Sequence, residues 1–195
     1  MQDASLDRSS TRPNAAAFAW LNDRLALAAV GVALASRLVI AAAAFGAAHL
    51  FSVHAVHPSL REPTLAETLS GTWGALLNPF AHYDGVWFLR AAVHGYREPM
   101  TPAFFPLYPI AVRLAGELAG HRYELAGLAL STLFFVVAAW VLYRLVAAEF
   151  GPRPAFLTVV FLSVFPASFF FQAVYSESLF LLLTVACFWC LRSER

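Results

Sequence analysis

An all-α, polytopic membrane fold is what this sequence predicts, and three observations predict it. Hydrophobic residues make up 60% of the 195-residue chain and charged residues 13%, against about 45–50% and about 25% in soluble domains. The apolar residues gather in runs that approach or exceed the roughly 20 residues a helix needs to cross a hydrocarbon core. One long polar and aromatic stretch, Phe80 to Pro109, interrupts them. A net charge of +1 leaves no basic face for nucleic acid, whose binding depends on neutralised phosphates.

Residues 1–24 read as a polar cytoplasmic tail with an interfacial turn near Phe18 to Leu21, and residues 25–195 as one membrane domain. The first span is 25–51, broken by a single charge, Arg37. On insertion scales a mid-helix Arg costs roughly 2.5–3.5 kcal/mol, while about ten Leu, Val, Ile and Phe return roughly 0.3–0.6 each, so the span survives. Arg37 then either snorkels or pairs helices, or it meets a lipid phosphate. The run is too long for a signal-peptide core of roughly 7–15 residues.

Residues 52–102 form a long outer loop, with His54, His57, Arg61, Glu62 and Glu67 ahead of the Asp84 block and Glu98 after it. Loops of this length are commonly functional. Within it, Asp84 to His94 has the pattern of a short helix at the membrane surface. Asp84 stands where a cap would take free amides, Trp87, Phe88 and Ala91 follow at helical spacing, and Gly95 suits the C′ position. Tyr83 and Trp87 favour the interface. Residues 103–120 are apolar but carry Pro106, Pro109, Arg113 and Glu117, and read as interfacial or re-entrant.

Further spans are expected at 125–145, 155–171 and 179–191. With the tail, the Arg144 to Arg153 turn and the Arg192 to Arg195 end all cytoplasmic, the positive-inside rule holds throughout. The Asp84 loop then shares the outer face with the turn Phe171 to Ser178. The rival topology lets 103–120 cross. Cys187 and Cys190 stand three apart in an apolar run, hence on one helix face. They read as buried, inert thiols, without the four ligands of a zinc site or a disulfide's geometry.

Asp84 is open to two readings, a helix cap or a positioned carboxylate that takes a proton from an attacking hydroxyl. Glu177, in Tyr175-Ser176-Glu177-Ser178, complements the dipole of the last helix and is also a second acid at the same face. No cluster of acids stands at metal-ligand spacing.

The blocks HYDGVWFLRAAVHGY, AFFPLYP and FPASFFFQAVYSESLF, in that order, resemble the PIG-V type of mannosyltransferase (GPI mannosyltransferase II-like). The resemblance covers roughly Arg37 to Phe188. It implies a GT-C class membrane glycosyltransferase that takes a sugar from a polyprenyl- or dolichyl-phosphate donor. Transfer would be inverting, at the outer membrane face, to a lipid- or glycan-borne hydroxyl, with no cofactor called for. Asp84 corresponds to the acid of the first outer loop, the general base, and Tyr175, Ser176 and Glu177 to the second block. Arg37, His82 and Arg90 are candidates to hold the lipid phosphate by charge-assisted hydrogen bonds. Tyr83, which stands where family members commonly have Trp, joins Trp87 and Tyr108 as candidates to contact the substrate.

Family members continue through several more membrane helices, so the chain corresponds to their N-terminal part. A truncated, non-catalytic subunit that needs a second membrane chain stays open, as does a small transporter using Arg37 and Glu177. Alanine-rich helices and no retention signal point to a bacterial plasma membrane, or to the endoplasmic reticulum membrane for a eukaryotic chain.

Overall fold

The computed structural model describes residues 15–50, 72–97 and 100–193. Most of the expected tail, the loop residues His54, His57, Arg61, Glu62 and Glu67, and Glu98 lie outside the described residues. Among the described residues the chain is helical and forms no strand. Two helices, over Asp23–Leu50 and Tyr123–Phe150, are long and apolar enough to cross a membrane.

Helix α1, Ala15–Leu50, begins inside the stretch expected to be tail. The reason is local: Ala15, Ala16 and Ala17 are strong helix formers, and neither Gly nor Pro follows before Gly31. A short helix α2, Thr72–Leu77, leads through a tight turn at Asn78–Phe80 to α3, Asp84–His94. The α3 bounds match the expected helix, and Gly95 ends it with φ 73° and its amide on Ala91. A left-handed position of that kind suits glycine. Helix α4, Leu107–Leu118, falls in the segment expected to be interfacial or re-entrant. Its 12 residues reach about 18 Å at about 1.5 Å per residue.

Helix α5, Tyr123–Phe150, is the axis of the bundle. At 28 residues it runs about 42 Å, longer than the roughly 30 Å hydrocarbon core. Helix α6, Pro152–Val164, stops short of the expected 155–171. Phe165 precedes Pro166 and is extended, with ψ 137°, because the proline ring clashes with a helical residue before it. The chain resumes as a 3-10 turn, Pro166–Phe171. Helix α7, Glu177–Ser193, follows.

Contacts fix the directions. Asp23 lies within electrostatic reach of Tyr143 while Arg37 sits over the Phe135 ring, so α1 runs antiparallel to α5. At one end of α7 the Ser131 hydroxyl reaches Tyr175 O; at the other, Arg192 pairs with Glu149 and donates to Ala148 O. Helices α5 and α7 are therefore parallel and pack on each other, while α6, which returns the chain from one to the other, packs on α5 and α1. The seam of α1, α5 and α6 is built from small residues, Ala26, Ala29, Ala33, Ala139 and Ala155, around Phe135, Tyr143 and Val159. Small side chains let helices approach closely where lipid offers no hydrophobic drive between them.

Arg24, Arg144, Arg153 and Arg192 consequently share one end of the bundle. Helices α3 and α4 and the turn 171–176 gather at the other. There a second core of Phe88, Leu89, Tyr108, Val112, Val174 and Leu179 packs α3 and α4 against the first turns of α5.

Cys187 and Cys190 depart from expectation. Both are free and exposed, on the outward face of α7 beside Phe188 and Leu191, which are exposed too. Spacing places two residues on one face of a helix but does not say which way that face looks.

Candidate active site

The site is built from two corners of chain held together by one backbone and one side-chain hydrogen bond. The first is His82-Tyr83-Asp84-Gly85. It turns through Gly85 N to His82 O at 3.0 Å and Val86 N to Tyr83 O at 3.2 Å. Tyr83 is left at φ 52° and ψ −118°, an unusual backbone for a residue with a side chain and one more often found at functional sites. Tyr83 is 83% exposed, and Asp84 beside it is exposed as well. Asp84 is the first residue of α3 rather than its cap: the cap position is Tyr83, and no side chain caps the helix. Asp84 is therefore the acidic residue of the first turn, where it complements the helix dipole, and not the cap.

The second corner is Ala173 to Glu177. Val174 N donates to Phe80 O at 2.8 Å, and the Tyr175 hydroxyl donates to His82 O at 3.0 Å. The Tyr175 ring lies against Gly85, where an added Cβ would stand 3.3 Å from its Cε1 and 3.5 Å from both Phe80 O and Val174 O. Gly85 is thus what lets the two corners touch. Phe80 also stacks on Phe169, with centroids 5.4 Å apart. Beneath them the Tyr108 hydroxyl donates to Gly127 O at 3.1 Å and shares a 2.7 Å hydrogen bond with Ser131. Each such bond is worth about 1 kcal/mol net.

Asp84 and Glu177 are brought within electrostatic reach of each other. Glu177 heads α7, is half-buried, and leaves its buried Oε2 without a hydrogen-bond partner among the described residues. Burial raises its proton affinity above the ordinary glutamate range; its own backbone amide pulls the other way, and the charge of Asp84 raises it further. Burial likewise holds the Tyr175 phenol above its usual range, with Asp84 adding to it. The arrangement is one open carboxylate beside one that is partly withdrawn from water.

The other expected residues divide. His82 contributes its carbonyl to the corner. Ser176 gives its carbonyl to the first turn of α7 through Phe180 N. Trp87 is half-buried with Arg90 over its ring at 5.3 Å. Tyr175 and Tyr108 are 7% and 1% exposed, so both hold the site up from within. Arg37 is 2% exposed, its guanidinium bonded to Ser36 and Ser168. Phe80, Gly127, Ser131 and Val174 complete the support; only the hydroxyl of Ser131, polar within an apolar run, signals this in the sequence.

A family model described as mannosyltransferase (PIG-V) matches residues 52–195. The chain belongs to the PIG-V mannosyltransferase family. It is 34% identical over 130 residues to a GPI mannosyltransferase 2 of Drosophila pseudoobscura pseudoobscura, covering 61% of this chain and 29% of that one. It is 35% identical over 119 residues to a GPI alpha-1,6-mannosyltransferase 2 of Homo sapiens, covering 56% and 24%. A GPI mannosyltransferase 2 of Cryptococcus neoformans is 32% identical over 129 residues, covering 60% and 30%. The matched part thus spans about a quarter to a third of these PIG-V relatives. These relatives are eukaryotic and lend no support to a bacterial membrane. No solved structure matches the chain.

Proposed function

We propose that the chain supplies the acidic site of a membrane mannosyltransferase that draws mannose from a polyprenyl-phosphate donor. The observation that carries this is the joining of Asp84, exposed at a strained corner, to the Tyr175-Ser176-Glu177 corner. In the transfer, Asp84 takes the proton of the acceptor hydroxyl as its oxygen bonds to sugar C1. The bond from C1 to the phosphate oxygen breaks on the opposite face, and the electron pair leaves with the lipid phosphate, inverting the anomeric centre. Glu177 holds sugar or acceptor hydroxyls, and Asp84, exposed at its corner, is open to the acceptor. Arg90 and His82 flank the phosphate. An open groove of about 440 Å³ lined by Tyr96, Pro102, Phe104, Phe105 and Pro106 suits a polyprenyl chain.

In the bilayer, we place the arginine-bearing end of the bundle in the cytoplasm, as the positive-inside rule asks, and the acids at the outer face. The spans are then α1, α5, α6 with its 3-10 extension, and α7 from Leu179 onward. Helix α4 lies at the outer interface, with Leu107, Ile110, Leu114 and Leu118 exposed along one stripe and Arg113 paired to Glu117 at 3.1 Å beside it.

The test is transfer of radiolabelled mannose from polyprenyl-phosphate mannose by purified protein in vesicles. Transfer that disappears in Asp84→Asn supports the enzyme. Identical background from both proteins sinks it in favour of a non-catalytic subunit working with a second membrane chain.

A further inference from the structure

We propose that Arg37 is a positioning residue: it locks the 3-10 turn after α6 to α1 and so holds the two acidic corners in register. This rests on the reading of Asp84 and Glu177 as the working acids. A buried arginine is costly unless its donors are used, and here they are. The guanidinium donates to Ser168 O at 2.6 Å and to the Ser168 hydroxyl, and to Ser36 Oγ at 3.3 Å. Its carbon lies 4.1 Å over the Phe135 ring, a cation–π contact strengthened by exclusion of water. No acid pairs with Arg37 among the described residues, and at 2% exposure it presents nothing to a ligand.

What Arg37 grips leads directly to the site. Ser168 sits inside the turn Pro166–Phe171. From that turn Phe169 stacks on Phe80, and Phe80 O takes the amide of Val174. Phe171 stacks on Phe135, the ring under Arg37, at 5.2 Å, and its carbonyl accepts the Ser178 hydroxyl next to Glu177. One guanidinium therefore sets the height of both acids relative to α1. A planar fork is required, because two acceptors on Ser168 and one on Ser36 lie around it; an ammonium offers a point charge instead.

Arg37→Lys, Arg37→Ala and Ser168→Ala test the lock by two independent readouts in the whole chain. The first is hydrogen exchange of the Val174 amide, compared with amides in the middle of α5. Exchange at Val174 is expected to quicken about tenfold or more in Arg37→Lys and Ser168→Ala, with α5 unchanged. The second is mannose transfer: kcat should fall by about 10²-fold with the donor KM within about twofold, the signature of misplaced catalytic groups. Wild-type protection at Val174 in both Arg37→Lys and Ser168→Ala overturns the proposal. So does a donor KM that rises in Arg37→Ala and returns in Arg37→Lys, which would mark a contact to the lipid phosphate. Should Arg37→Lys fail to accumulate, Ser168→Ala decides alone. A wild-type chain without transfer removes the functional reading, and exchange at Val174 still settles the lock.

Discussion

Glu177 carries a proton more tightly in the folded chain than in the unfolded one, because it is half-buried and shares its site with Asp84. The folded state therefore binds more protons between the ordinary glutamate range and the raised one, and stability falls as pH rises through that window. Glu177→Gln should melt at a higher temperature than wild type at neutral pH, with the difference closing below pH of about 4, where both side chains are neutral. A thermal melt in detergent at a series of pH values checks this. Tyr175→Phe removes the donor from His82 O and should cost about 1 kcal/mol, read by denaturant unfolding. The Asp84, Gly85, Tyr175 and Glu177 positions were all visible as motif residues. Their division of labour was not, since a tyrosine that touches substrate and one that pins a backbone carbonyl look alike until burial separates them.

At the level of elements, α4 and the start of α5 form a close antiparallel pair whose tightest point is Gly116. A glycine inside a helix is about 1 kcal/mol worse than alanine, so propensity alone favours Gly116→Ala. Geometry reverses the sign. An added Cβ would stand 2.2 Å from Tyr123 Cδ1, and overpacking of that kind costs about 1–3 kcal/mol. Gly116→Ala should therefore destabilise, and Tyr123→Ala in the same chain should return part of the loss in a double-mutant cycle. Helix existence was legible from apolar runs and from Gly95. The early start of α1 and the early stop of α6 were not, because hydropathy blurs the local preference of three alanines and of a residue before proline.

Across the whole molecule, the outward setting of Cys187 and Cys190 gives a direct test of how the bundle meets lipid. In vesicles both thiols should resist a charged, water-soluble maleimide and react with an apolar one, whereas burial within protein would block both reagents. In a chain with Cys187 and Cys190 replaced by serine, single cysteines at positions 84 and 177 should label together from the outer side. A cysteine at position 153 should label only after permeabilisation. Labelling at 84 without 177 would refute the proposed topology.

The sequence by itself determined that this chain is helical and apolar, where its acids and aromatics stand, and which family it belongs to. Those properties follow from composition, periodicity and local motif, each readable over a few turns of chain. Only the tertiary structure decided that Asp84 stands free of a helix cap, that Glu177 is partly withdrawn beside it, and that Arg37 is spent on Ser168 far along the chain. Burial and partner choice come from residues about 90 to 130 positions apart meeting in space, and no local pattern records such a meeting.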